Sequence, residues 1–249
     1  MTDCLIVEEI AKSFMGINAL DRVSFSVNEN EVVGIIGLNG SGKTTAVNVV
    51  TGFVKPDSGH VRFKGKEITG LPPHRIAAQG IARSFQTVRP FHNLPAFKNL
   101  IVPLFSPRIR KFTESGRWGD RDAVALDLLE EVGFERDSAV PYKPAATLPH
   151  GYLRRLELAR CLALQPDLLI TDELFSGLSS SEVASIVPLI EKLQGQGMTL
   201  IMVEHRLREL FRLANRVVVM DRGRKIAEGT PAQIVDNHTV KETYLGAEL

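Results

Sequence analysis

Apolar and polar positions alternate in short steps along the first third of the chain. Leu5-Ile6-Val7, Val23-Ser24-Phe25-Ser26-Val27 and Glu31 to Ile36 are apolar-rich runs separated by turn residues, a pattern that predicts strands. Val61-Arg62-Phe63 followed by Lys64-Gly65-Lys66 predicts a strand and a turn. Pro72-Pro73 before His74 to Gln79, with Gly80 after, predicts a short helix, because proline suits the first helical turn and glycine follows the last. Ile81 to Phe85 again reads as a strand. From Phe85 to Leu148 the pattern changes: prolines recur, and one amphipathic helix stands out from Asp120 to Val132, with Ala125, Leu128, Leu129 and Val132 on one face and Gly133 at its end. Ser106 to Gly119 is basic and polar and reads as a loop.

Beyond Leu148 helices and continuous apolar strands take turns. Helices are predicted over Tyr152 to Leu164, Ser181 to Gln194 and Leu207 to Leu213, and strands at Leu168-Leu169-Ile170-Thr171, Thr199 to Val203 and Arg216 to Met220. Strands that are apolar throughout belong to a parallel sheet covered on both faces. The predicted fold is therefore α/β, a mostly parallel core with an antiparallel β part near the N-terminus and an inserted α-helical subdomain. The core takes 1–86 and 165–249, and the insert 87–164.

Composition narrows the class without naming it. The 249 residues suit one domain with an insertion. A formal net charge of +1 gives no field that would argue for nucleic acid. Two distant cysteines, Cys4 and Cys161, read as free thiols of a reducing compartment. No transmembrane span and no signal peptide is read, so a cytoplasmic protein is expected, acting at a membrane only by docking.

The chemistry begins at Gly37-Leu38-Asn39-Gly40-Ser41-Gly42-Lys43-Thr44-Thr45. This is G-x-x-x-x-G-K-[ST] after a strand and before a helix, the form of a phosphate-binding P-loop. Glycines let successive backbone N–H groups turn around a polyphosphate, and the helix N-terminus favours the same anion. Lys43 reaches the β- and γ-phosphates, and Thr44 supplies a hydroxyl for Mg²⁺. Asp172-Glu173 end an apolar strand, where open α/β sheets place ligands. Beside a P-loop they suit a metal-holding carboxylate and a water-orienting one. Four further features are ambiguous alone. Gln86 could sense metal and γ-phosphate, though a Gln at a strand end is more simply solvated. His205, past the strand that ends at Val203, could donate to the γ-phosphate or merely cap. Phe14 could stack on an adenine or belong to the core. Leu148-Pro149-His150-Gly151 leads into a helix and could be an anion site or an ordinary helix start.

Taken together in this order, these residues resemble the ATP-binding subunit of an ABC transporter, over nearly the whole chain. The resemblance implies that Phe14 stacks on adenine, that Gly37 to Thr45 is the Walker A loop, and that Gln86 is the Q-loop glutamine, near the metal. It makes Leu148 to Tyr152 the signature, Asp172-Glu173 the Walker B end and His205 the switch histidine. Gly80 to Phe91, Val203-Glu204-His205, Ile226 to Pro231 and Thr243-Tyr244-Leu245-Gly246 look like the branched-chain amino acid importer type, with urea and short-amide importers close behind. It implies ATP and Mg²⁺, membrane permease subunits, a second ATP-binding subunit, an indirect link to a solute-binding protein, and a place on the inner face of the membrane.

The chain departs from the family pattern in three places. Pro149, His150 and Tyr152 stand where Leu-Ser-Gly-Gly-Gln has Ser, Gly and Gln. Pro149 has neither hydroxyl nor N–H, which leaves Gly151 and the helix N-terminus to meet a phosphate. Leu174 follows Glu173 in place of proline, and Ser179 occupies a position that is often Asp. These motivate a rival reading, a nucleotide-gated subunit of an asymmetric pair with little turnover. A second rival, a soluble cassette protein of repair or translation, usually carries two cassettes or a coiled coil, neither of which is present here.

Overall fold

The computed structural model describes residues 3–109 and 120–245. The Ser106 to Gly119 loop lies mostly outside them, as does Gly246. Among the described residues ten strands form two sheets. β1 (Asp3–Phe14), β2 (Ile17–Asn28), β4 (Ser58–Phe63) and β5 (Lys66–Glu67) make an antiparallel sheet in the order β2-β1-β4-β5. β3 (Val32–Gly37), β6 (Ile81–Arg83), β7 (Leu168–Asp172), β8 (Thr199–Val203), β9 (Arg216–Asp221) and β10 (Arg224–Gly229) make the second, in the order β10-β9-β3-β8-β7-β6. Its five strands from β9 to β6 are parallel, and β10 pairs antiparallel with β9.

The continuous apolar runs do what their composition requires. β3, β7 and β8 are buried along their whole length, and alternate residues face opposite layers. Val32, Ile36, Leu169, Leu200, Met202, Val217 and Val219 join one core with the helices. Val33, Ile35, Leu168, Ile170, Ile201, Val203, Val218 and Met220 join the other, with the antiparallel sheet and helix α1 (Lys43–Val50). The segment from Phe91 to Leu148 holds short helices at Phe97–Leu100 and Ile101–Leu104 and the longer Arg121–Glu131. Asp120 caps that helix by accepting from the N–H groups of Asp122 and Ala123.

This topology positions the chemistry. β6, β7, β8 and β3 are parallel neighbours, so their carboxyl ends share one edge of the sheet. They deliver Phe85-Gln86, Asp172-Glu173, Glu204-His205 and the Gly37 to Gly42 loop side by side, where open α/β sheets hold ligands.

Candidate functional site: a nucleotide cradle

Helix α1 begins without a side-chain cap, its Ncap being Gly42 in left-handed backbone at φ 101°. A Cβ on Gly42 would come within 2.6 Å of the Ala19 carbonyl, so the position has room only for glycine. Gly37 is pinned similarly: a Cβ there would stand 2.3 Å from the Met220 carbonyl and 2.4 Å from Ser41 Oγ. Ser41 Oγ is buried without a partner. Lys43 is almost wholly buried, and its Nζ donates to the Gly37 and Leu38 carbonyls at 2.8 and 3.1 Å. Burial pulls the Lys43 ammonium below its ordinary range, while Glu173 and Asp172 hold it up.

An orphaned buried hydroxyl, an uncapped helix start and an ammonium that meets only carbonyls are the donor set an oxyanion would complete. Thr44 and Thr45 open the helix just beyond, and Thr44 is exposed. Asn39 and Gly40 line the outer side of the loop, with Leu38, Asp221 and Arg222. Thr44, Gln86 and Asp172 border one groove of about 660 Å³. One hydroxyl, one amide and one carboxylate suit a cation that keeps most of its water, as Mg²⁺ does. Among the described residues no cluster of three or more His, Cys, Asp or Glu side chains could hold a metal.

Glu173 is the meeting point of the other strands. Gln86 Nε2 donates to its Oε2 at 2.7 Å, and His205 Nε2 lies 3.1 Å from its Oε1. A carboxylate accepts, so His205 carries its proton on Nε2. Glu173 itself has φ 53°, a strained backbone for a non-glycine residue.

Glu204 helps hold that turn. Its carboxyl is buried and accepts from the N–H of Phe175 at 3.2 Å and from that of Leu174. Burial pushes it up to about 8, against the two N–H donors; the neighbouring Glu173 charge raises it further, and Arg154 opposes. Between the ordinary 4.5 and about 8 the unfolded chain ionises while the fold keeps its proton. The unfolded state then binds fewer protons, and stability falls as pH rises through that window. Glu204→Gln is expected to remove that slope, so its melting temperature gains on wild type toward the alkaline end. Parallel melting curves for the two proteins would refute this.

Leu148, Pro149, His150 and Gly151 line neither the groove of Thr44 and Asp172 nor the pocket beside Asn39 and Gly40. Pro149 is the Ncap of the helix His150–Leu162 and supplies no cap bond. Leu148 is buried, and His150 Nε2 sits 3.3 Å from the Ser176 carbonyl. Gly151 is buried, and a Cβ on it would come within 2.6 Å of Glu182 Oε1. The Glu182 carboxylate thus lies close against Gly151. That carboxylate also holds Ser179, the Ncap of helix Ser180–Gly195, in a capping box. Phe14 ends β1 in an exposed hairpin, with Lys12 Nζ 5.4 Å from its ring centroid. It is therefore not a core residue.

Sequence reasoning missed Arg83 and Arg154. Arg154 is buried, and its fork donates to the Phe85 and Ser176 carbonyls at 3.2 Å each. It joins the strand end before Gln86 to the turn after Glu173. The signal was an Arg-Arg pair on an otherwise amphipathic helix, which does not reveal which arginine faces inward.

Comparison with known proteins agrees with this geometry. Residues 20–176 match the ABC transporter family, and residues 224–249 match the branched-chain amino acid ATP-binding cassette transporter family. The chain is 38% identical over 251 residues to the high-affinity branched-chain amino acid transport ATP-binding protein BraF of Pseudomonas aeruginosa, covering 97% of both. It is 34% identical to LivG of Escherichia coli, a protein of the same description, again over 97% of both. It is also 34% identical to the lipopolysaccharide export ATP-binding protein LptB of Haemophilus influenzae, over 98% of both. The ADP conformation of MJ1267, an ATP-binding cassette of an ABC transporter, superposes with TM-score 0.84 at 33% identity over 99% of this chain and 100% of that one. A dimeric bacterial cassette, MJ0796, gives 0.79 at 25% identity, over 91% and 98%. The P-loop, the carboxylate strand and the full-length likeness lead to one conclusion: this chain belongs to the ABC transporter family and is its ATP-binding, ATP-hydrolysing subunit.

Proposed function

We propose that this subunit powers import of branched-chain amino acids or related small polar solutes. The observation that carries the substrate class is the match of residues 224–249 to the branched-chain amino acid cassette family, beside full-length likeness to BraF. The residues take these roles. The 37–45 loop and α1 hold the phosphates, Lys43 neutralises them, and Phe14 stacks on adenine. Thr44, Gln86 and Asp172 would hold Mg²⁺, which would neutralise phosphate charge. Glu173 accepts hydrogen bonds from Gln86 and His205 in this state. With ATP present it orients the attacking water, and His205 turns its Nε2 proton to the γ-phosphate. Leu148, Pro149, His150 and Gly151 complete the site of a second cassette; that they line neither pocket beside their own chain's P-loop supports this.

Residues 87–164 act as the inserted helical subdomain on a core of 1–86 and 165–249. Permease subunits dock over the groove beside Gln86, where Phe53, Phe85, Phe91 and Val102 are exposed. No helix among the described residues is long and apolar enough to cross a membrane. This favours a peripheral place on the inner face, with a solute-binding protein met only through the permease. The test is transport: the subunit reconstituted with its permease in proteoliposomes should drive ATP-dependent uptake of labelled leucine, isoleucine and valine. Uptake of urea or short amides alone, or no uptake with intact ATP turnover, would overturn the substrate class.

A further inference from the structure

Arg83 ends β6, and its guanidinium reaches two other elements. Nη2 donates to Asp172 Oδ2 at 2.7 Å, and Nη1 donates to Asn48 Oδ1 at 2.6 Å and to Thr51 Oγ1 at 3.1 Å. Asn48 lies on α1, one turn beyond Thr44, and Thr51 is the Ccap of that helix. The Arg83 and Asp172 side chains are only 7% and 4% exposed. Such a pair persists when its geometry offsets the desolvation of both charges. The guanidinium carbon also sits 5.1 Å from the centroid of Phe85 and 5.8 Å from that of Phe53. These rings meet edge to face at 5.5 Å and line the groove with Thr44 and Asp172. Arg83 Nε is buried without a partner.

We propose that Arg83 is the positioning residue of the metal site. Its planar fork ties the Asp172 carboxylate to the helix that carries Thr44, and the Phe53–Phe85 pair couples that tie to the contents of the groove. The proposal rests on the reading of Thr44 and Asp172 as metal-holding groups. A lysine ammonium could neutralise Asp172 but could not hold both elements in one plane. Electrostatics alone argue the opposite outcome, since a guanidinium beside a carboxylate repels a second cation. The two accounts therefore differ in sign.

The test is binding of a fluorescent ATP analogue in EDTA and across a Mg²⁺ titration, with Mn²⁺ electron paramagnetic resonance as an independent view of the bound ion. Arg83→Gln should raise the Mg²⁺ concentration for half-saturation about tenfold, with affinity in EDTA held within about twofold. Arg83→Lys should recover only part of that loss. Joint replacement Asn48→Ala and Thr51→Val, which keeps the Arg83–Asp172 pair, should shift the titration in the same direction by less. Phe53→Ala should do likewise. Tighter Mg²⁺ binding in Arg83→Gln would make Arg83 a competitor and overturn the proposal, as would an unchanged titration. Equal losses with and without Mg²⁺ would reduce Arg83 to a packing role. If Arg83→Gln fails to fold, an unchanged titration in the Asn48/Thr51 variant refutes the tie, and an unchanged Phe53→Ala refutes the coupling. A wild-type chain that binds the analogue with no Mg²⁺ dependence would instead sink the metal reading itself.

Discussion

Glu173→Gln lowers ATP turnover by about 10²–10⁴-fold while the chain still binds Mg-ATP, the range expected when a positioned general base is lost. The carboxylate stands where β7 ends, with Gln86 on one oxygen and His205 on the other. A glutamine has nearly the same shape, so the strained turn at φ 53° and its Glu204 contacts persist. What disappears is the negative oxygen that orients and polarises water. Phosphate release and analogue binding, measured on the same preparation, separate the two effects. Turnover close to wild type would remove Glu173 from the catalytic role, and loss of binding would make it a structural residue.

Lys43→Met weakens ATP binding by about 10- to 100-fold, the loss of a charge-assisted contact worth about 1.5–3 kcal/mol. The same variant should melt no lower than wild type without nucleotide. Burial already disfavours the Lys43 ammonium, and methionine keeps the apolar stem without the desolvated charge. Thermal melting with and without ATP tests both halves: wild type gains stability from the ligand and the variant gains little. A variant that unfolds without ATP, or that gains as much as wild type, would contradict this reading of Lys43.

The elements legible in the sequence were those whose burial leaves a regular pattern. Thr199–Val203 falls where its apolar run places it, because a strand covered on both faces favours apolar residues, and Leu207–Leu213 shows by the apolar residues of the one face that carries Leu210 and Leu213. β1 is longer than its Leu5-Ile6-Val7 signal, extending to Phe14. Its second half carries Glu8, Glu9 and Lys12, and bulges with Glu9 at φ 46° break the alternation. The helices Phe97–Leu100 and Ile101–Leu104 are too short to show a helical period. β10 was hidden by an exposed, polar edge, although Thr230, Pro231 and Gln233 spell the capping box of the helix that follows.

The candidate site divides the same way. The P-loop is local: glycine spacing, lysine and threonine lie within one turn, so sequence alone shows it. The Gln86–Glu173–His205 cluster depends on which strand ends become neighbours: each residue is a candidate in the sequence, but only the fold brings them together. Arg83 was invisible because its carboxylate lies 89 positions away and meets it only through the β6–β7 register. The closeness of Glu182 to Gly151 was hidden for the same reason.

The most direct measurement is a single-turnover experiment, with γ-labelled ATP bound to excess wild-type subunit assembled with its permease and sister cassette, and the reaction started by Mg²⁺. The account predicts labelled phosphate release with Mg²⁺, none in EDTA, and ATP retained intact on Glu173→Gln. Recovery of intact ATP from the wild-type subunit in Mg²⁺, with its permease and sister cassette present, would contradict it.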